Sequence, residues 1–130
     1  MDIRTRFGLL VALAAMLGAR PAVAQKPAAP AGAPTAAQLA QGDSIFHGKG
    51  NCYACHGANA EGAVGPNLTD AEWLHSDGSY DAIVKQVTVG VTQAESKSGI
   101  MMPPKGGAEL SDAEVKAVAA YVFSLGHKKG

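Results

Sequence analysis

Two thiols separated by two residues, with an imidazole directly after the second, stand in the run Cys52-Tyr53-Ala54-Cys55-His56. Wound as a helix, positions i, i+3 and i+4 share one face, so all three side chains point the same way. Thiols so placed can add to the two vinyl groups on one edge of a porphyrin while the imidazole reaches the iron at its centre. C-x-x-C-H is accordingly the pattern of covalent c-type haem attachment. Other chemistries fit less well. A redox-active cysteine pair belongs at a helix start after a strand in a βαβ unit, yet an Ala-rich helical pattern precedes Cys52. Structural zinc takes four ligands, and the chain has only two cysteines, with His47, His75 and His127 not spaced as a finger. A plain disulfide leaves His56 without a role.

An iron held by one histidine has a sixth position, and its occupant separates electron carriers from gas binders and enzymes. Of the four methionines, Met1 and Met16 fall in an N-terminal segment read below as removed, which leaves Met101 and Met102. A thioether is a soft ligand suited to haem iron, and His/Met ligation raises the reduction potential. Core filling is the competing role for both. Met102 is preferred to Met101 because the adjacent Pro103 fixes the local backbone and removes an N–H that would need a partner. His47 and His75 lie in hydrophilic surroundings and read as surface residues.

Helices must position these groups. Thr35 caps a first helix through about His47, with Leu39, Gly42, Ile45 and Phe46 at helical spacing. Glycine costs about 1 kcal/mol relative to alanine inside a helix, so Gly42 points to close approach of another helix. Thr69 is expected to cap a short turn through Leu74, and a third helix runs over about Ser79 to Val89, with Asp81 near its positive end. Gly90 to Leu110 has little periodicity and reads as a long structured loop of the kind that carries function. Ser111-Asp112-Ala113-Glu114 is a capping box opening the clearest helix. Its apolar stripe is Val115, Val118, Ala119, Val122 and Phe123, and Gly126 is expected as its C′ residue. No segment reads as a strand, so the fold class is all-α.

Arg4 and Arg6, the apolar stretch Phe7 to Ala19, and Ala22-Val23-Ala24 read as an export signal cleaved after Ala24; thirteen residues are too few to span a membrane. Residues 25–34, almost wholly Ala, Pro and Gly, read as a linker or disordered tail, and residues 35–130 as one small domain. Such a domain is marginal on its own core, and a buried porphyrin would supply the missing apolar centre. The whole chain has 11 basic and 11 acidic residues; loss of residues 1–24 leaves a mildly negative domain. No basic patch invites nucleic acid.

The order of a helix with glycine and aromatic, then CYACHG, GPNL, IMMPP and LSDAEVKAVAAYVFSL, resembles class I mono-haem cytochrome c. Through GPNLTDAEWL it is most similar to the haem domains of the cytochrome c subunit of bacterial C-type haem-copper oxidases. The resemblance covers about Ala36 to Leu125. It implies a small cytochrome c fold of three to five helices around one haem, with the first and last helices crossing where Gly42 and Phe46 meet Tyr121. It also implies thioether bonds at Cys52 and Cys55, His56 as proximal and Met102 as distal iron ligand, and the Pro66 carbonyl accepting the second N–H of His56. Leu68 is implied to pack on the ring and Trp73 to point its indole N–H toward a propionate, with core packing the competing role for both. The oxidase subunit carries membrane spans and usually more than one haem, whereas this chain has one C-x-x-C-H.

These readings converge on a monomeric periplasmic electron carrier, not an enzyme, with one covalent haem c. Its donor and acceptor are periplasmic or membrane-bound redox proteins, and no membrane span remains after signal cleavage. Lys49 and Lys105 flank the attachment and methionine segments and are candidates to line an exposed haem edge. A dedicated haem subunit of a dehydrogenase or oxidase complex is the alternative, and a small-molecule-binding haem sensor the next.

Overall fold

A computed structural model describes residues 32–127; the export signal, most of the Ala/Pro-rich segment and the last three residues lie outside them. Helix α1 spans Ala36–His47, the single turn α2 Tyr53–His56, α3 Tyr80–Val89 and α4 Asp112–Gly126. A 3-10 turn, Pro104–Gly107, interrupts the loop between α3 and α4. Among the described residues no strand forms; one isolated antiparallel bridge pairs Val91 with Met102. The class is all-α, as the sequence reading has it.

Local chemistry explains the helix ends. Thr35 and Gln38 form a reciprocal capping box on α1, Ser79 accepts from the Ala82 N–H on α3, and Ser111 with Glu114 forms the second box on α4. The main packing is α1 against α4. Gly42 is buried at this crossing, and a Cβ there would run into the Ala117 carbonyl and come within 2.6 Å of Tyr121 Cβ, so the helix glycine exists to let the two backbones approach. Phe46, Val115 and Val118 are fully buried, with Ile45, Ile83, Val87, Leu110, Val122 and Leu125 around them. Phe46 meets Tyr121 at 5.5 Å between ring centroids.

Two expectations are corrected. The segment after Thr69 forms no helical turn, because the side chains of Asn67 and Asp70 take the N–H groups of Thr69 and Glu72 at 2.7 and 3.0 Å. Such Asx turns satisfy the backbone without winding it. Gly126 is not a C′ residue; α4 runs through it and His127 is the C-cap. Its missing side chain instead makes room for Trp73, whose Cζ2 would lie 2.7 Å from a Cβ.

Candidate haem site

The loop following α1 delivers the attachment segment. Phe46 O, at the end of α1, accepts from Cys52 N at 3.1 Å, and Cys52 O then accepts from His56 N at 3.0 Å, closing the one-turn α2. That turn puts Cys52, Cys55 and His56 on one face, and all three line a cavity with Asn51, Gly65, Pro66, His75, Gln86, Val91, Ser98, Ile100, Met101, Met102, Pro103 and Gly106. Its empty volume, counted out through the open mouth into solvent, is about 710 Å³. Leu68 and Trp73 are not among its lining residues. Both pack against the core, and Trp73 stacks on His127 at 6.3 Å.

His56 is 9% exposed, and its Nδ1 lies 2.9 Å from the Pro66 carbonyl oxygen. A carbonyl only accepts, so Nδ1 carries the proton and the Nε2 lone pair is left for a ligand. Burial lowers the pKa of His56, partly offset by the bond to Pro66, which keeps the ring neutral as ligation requires. The thiols differ. Cys52 is part-buried, donates to Gly50 O at 3.5 Å and is pushed up to about 11 by burial, whereas Cys55 is exposed. They form no disulfide with each other.

The opposite wall is the Gly90–Leu110 loop. Val91 and Met102 exchange both backbone hydrogen bonds, at 2.8 and 2.9 Å, which fixes the Met102 main chain. Gly90 makes this possible: its φ of +73° belongs to glycine, and a Cβ would meet Met102 O and lie 2.8 Å from Pro104 N. Met102 is half-buried against the core, while Met101 is 50% exposed. Both line the cavity.

Lys49 is exposed and Lys105 half-buried, and each has a partner within the chain. Lys49 Nζ holds both oxygens of Glu114 at 2.9 and 3.0 Å, and Lys105 Nζ donates to Leu110 O at 2.6 Å. His47 is exposed, with Nδ1 3.0 Å from an Asp43 oxygen and Nε2 2.7 Å from Ala58 O. His75, read from sequence as a surface residue, lines the cavity. Its only advance signal was its place two residues after Trp73.

The donor set fits a covalently held haem: two free thiols on one face, a neutral imidazole with an available Nε2, a thioether on a fixed backbone across from them, and an apolar cavity between. Among the described residues no cluster of three or more His, Cys, Asp or Glu is arranged to hold a metal ion without a porphyrin. No helix among the described residues is long and apolar enough to cross a membrane.

Residues 37–122 match the family described as cytochrome c oxidase, cbb3-type, subunit III. The chain is 42% identical over 88 residues to the cbb3-type cytochrome c oxidase subunit CcoP of Rubrivivax gelatinosus, covering 67% of this chain and 26% of that protein. It is 40% identical over 94 residues to that of Cereibacter sphaeroides, covering 70% and 29%. The chain thus spans under a third of the length of these relatives. Among solved structures it resembles cytochrome cL of Methylophaga aminisulfidivorans, with a TM-score of 0.56, 25% identity, and 70% of this chain and 55% of that one covered. Cytochrome cL of Hyphomicrobium denitrificans gives 0.55 and 23%, with 68% and 48% covered, which speaks for the fold alone.

Proposed function

We propose, from the premise that this chain belongs to the cbb3-type cytochrome c oxidase subunit III family, that it carries single electrons between periplasmic redox partners through a His56/Met102-ligated haem c. Electron transfer by a cytochrome c domain with one covalent haem follows from the family itself. The finer reading rests most on one observation: the buried His56 donates Nδ1–H to Pro66 O at 2.9 Å inside a cavity that Cys52, Cys55 and Met102 also line. When bound, haem supplies a one-electron couple, and filled axial positions bar substrate from the iron.

The protein residues have separate tasks in this reading. Cys52 and Cys55 would hold the ring through two thioether bonds, the S–H of each adding across one vinyl group. Pro66 orients His56 and raises its basicity. The Val91 bridge and Pro103 hold Met102 in place against solvent competition, and the more exposed Met101 guards the cavity mouth. Periplasmic location follows from the export signal read in residues 1–24 and from the compartment in which such haem is attached. Partners are membrane-bound or soluble redox proteins, met through the small interfaces usual for redox encounters. A second reading, a dedicated subunit of an oxidase complex, is favoured by the relatives' names; co-purification from native membranes would distinguish a bound subunit from a diffusing carrier.

The test is an optical spectrum and intact mass of the exported, matured chain. One haem per chain, sharp low-spin bands when reduced and no carbon monoxide binding are expected. Two haems, or ready carbon monoxide binding in the reduced protein, would contradict the carrier reading.

A further inference from the structure

Beside the thiol- and methionine-lined cavity lies a second, more open hollow of about 1010 Å³ counted out into solvent in the same way. His75, Gln86 and Val91 line both, whereas no residue of the Cys52–Pro66 segment lines the second. The shared residues therefore mark the end of the first cavity that faces away from Cys52 and Cys55. A porphyrin tethered there by its vinyl groups has its two carboxylate arms on another edge of the ring, directed away from the tethers. Those arms need donors. No Lys or Arg lines the first cavity, so the burden falls on neutral groups, and His75, Gln86 and Ser98 supply them.

His75 is committed to one tautomer. The Lys97 backbone N–H donates to its Nε2 at 3.3 Å; Nε2 must offer a lone pair, so in the neutral ring the proton sits on Nδ1. We propose that His75 is a positioning residue for the porphyrin, its Nδ1–H holding a propionate, with Gln86 and Ser98 beside it. The proposal rests on the haem assignment above. A hydrogen bond to a propionate draws its negative charge away from the iron, which favours the reduced state.

The full chain, matured with haem, is compared as wild type, His75→Gln and His75→Phe. Covalent haem is counted by intact mass, and the midpoint potential is measured near neutral pH. One haem is expected in all three. His75→Phe, which leaves the propionate without its donor, is expected to lower the potential, with His75→Gln nearer the wild type because it keeps a neutral donor. An unchanged potential in His75→Phe overturns the proposal, and an equal fall in both variants overturns it too. A wild type without haem overturns the site assignment instead. If His75→Phe does not fold, His75→Gln decides alone.

Discussion

The wall that carries Cys52, Cys55 and His56 hangs from two packed helices, while the wall that carries Met101 and Met102 is a loop held by backbone hydrogen bonds. On the first side, Gly42 lets α1 and α4 touch backbones, and Phe46, at 0% exposure, hands its carbonyl to Cys52. Its order derives from buried apolar area, which is cooperative with the whole fold. On the second side, Ser96 reaches Ile100 O at 2.7 Å and Gln93 reaches Gly99 O at 2.8 Å, in a segment whose side chains are mostly exposed. Such a loop opens at lower free energy than the core. The proximal ligand should therefore be lost only with the fold, and the distal one should be lost first.

The largest expected effect lies on the helical side. Phe46→Ala should cost about 3–5 kcal/mol and lower the urea midpoint of the whole domain, with both walls failing together. If the attachment side melted before the loop, the contrast between the walls would be reversed. A smaller and more local effect is expected at Gly90. Gly90→Ala should cost about 1–3 kcal/mol, displacing Met102 through the clash with its carbonyl. Covalent haem and the His56 bond should survive, with loss of the methionine signature in the oxidised spectrum.

The smallest effects are electrostatic and sit at the helical wall's rim. The Lys49 ammonium, with Ser111, holds Glu114 down to about 2. A carboxylate depressed in the folded state stabilises above its ordinary range near 4.5 and loses that contribution as pH falls toward about 2. His47 runs the other way. Ala58 O and Asp43 raise its pKa, so its contribution is present below the ordinary histidine range and is lost as pH rises through the raised value. Urea midpoints of Lys49→Met and His47→Gln across pH check both: the first should remove part of the acid-side loss, the second part of the loss on the neutral-to-alkaline side. Exposed pairs contribute little, so shifts as large as that of Phe46→Ala would mean the rim bears more of the fold than packing does.

The same contrast explains what could be read in advance. Capping residues Thr35 and Ser111 follow from the need to satisfy a helix's first free N–H groups, and the stripe of Val115, Val118 and Val122 with the glycine at 42 follows from helical periodicity, because packing repeats at a fixed spacing. C-x-x-C-H is legible because its chemistry demands that spacing. The loops follow side-chain-to-backbone bonds that have no period. Asn67 and Asp70 therefore replace the turn expected after Thr69, and Lys49 and Lys105, read as candidates for an exposed edge, bond to Glu114 and to Leu110 O. Trp73 stacks on His127 while His75, read as a surface residue, lines the cavity for a related reason. Which of two nearby side chains reaches a cavity depends on the path of an irregular segment, and Gly78 and Gly126 give the indole its space in the core.

The proposed ligation pairs His56 with Met102, whose main chain is fixed by its bridge to Val91, and not with the exposed Met101. The most direct measurement is the methionine-to-ferric charge-transfer band of the oxidised, haem-loaded protein in Met102→Ala and Met101→Ala. The band should vanish in Met102→Ala, with covalent haem retained, and persist in Met101→Ala. Its persistence in Met102→Ala, or its loss in Met101→Ala alone, would contradict the account.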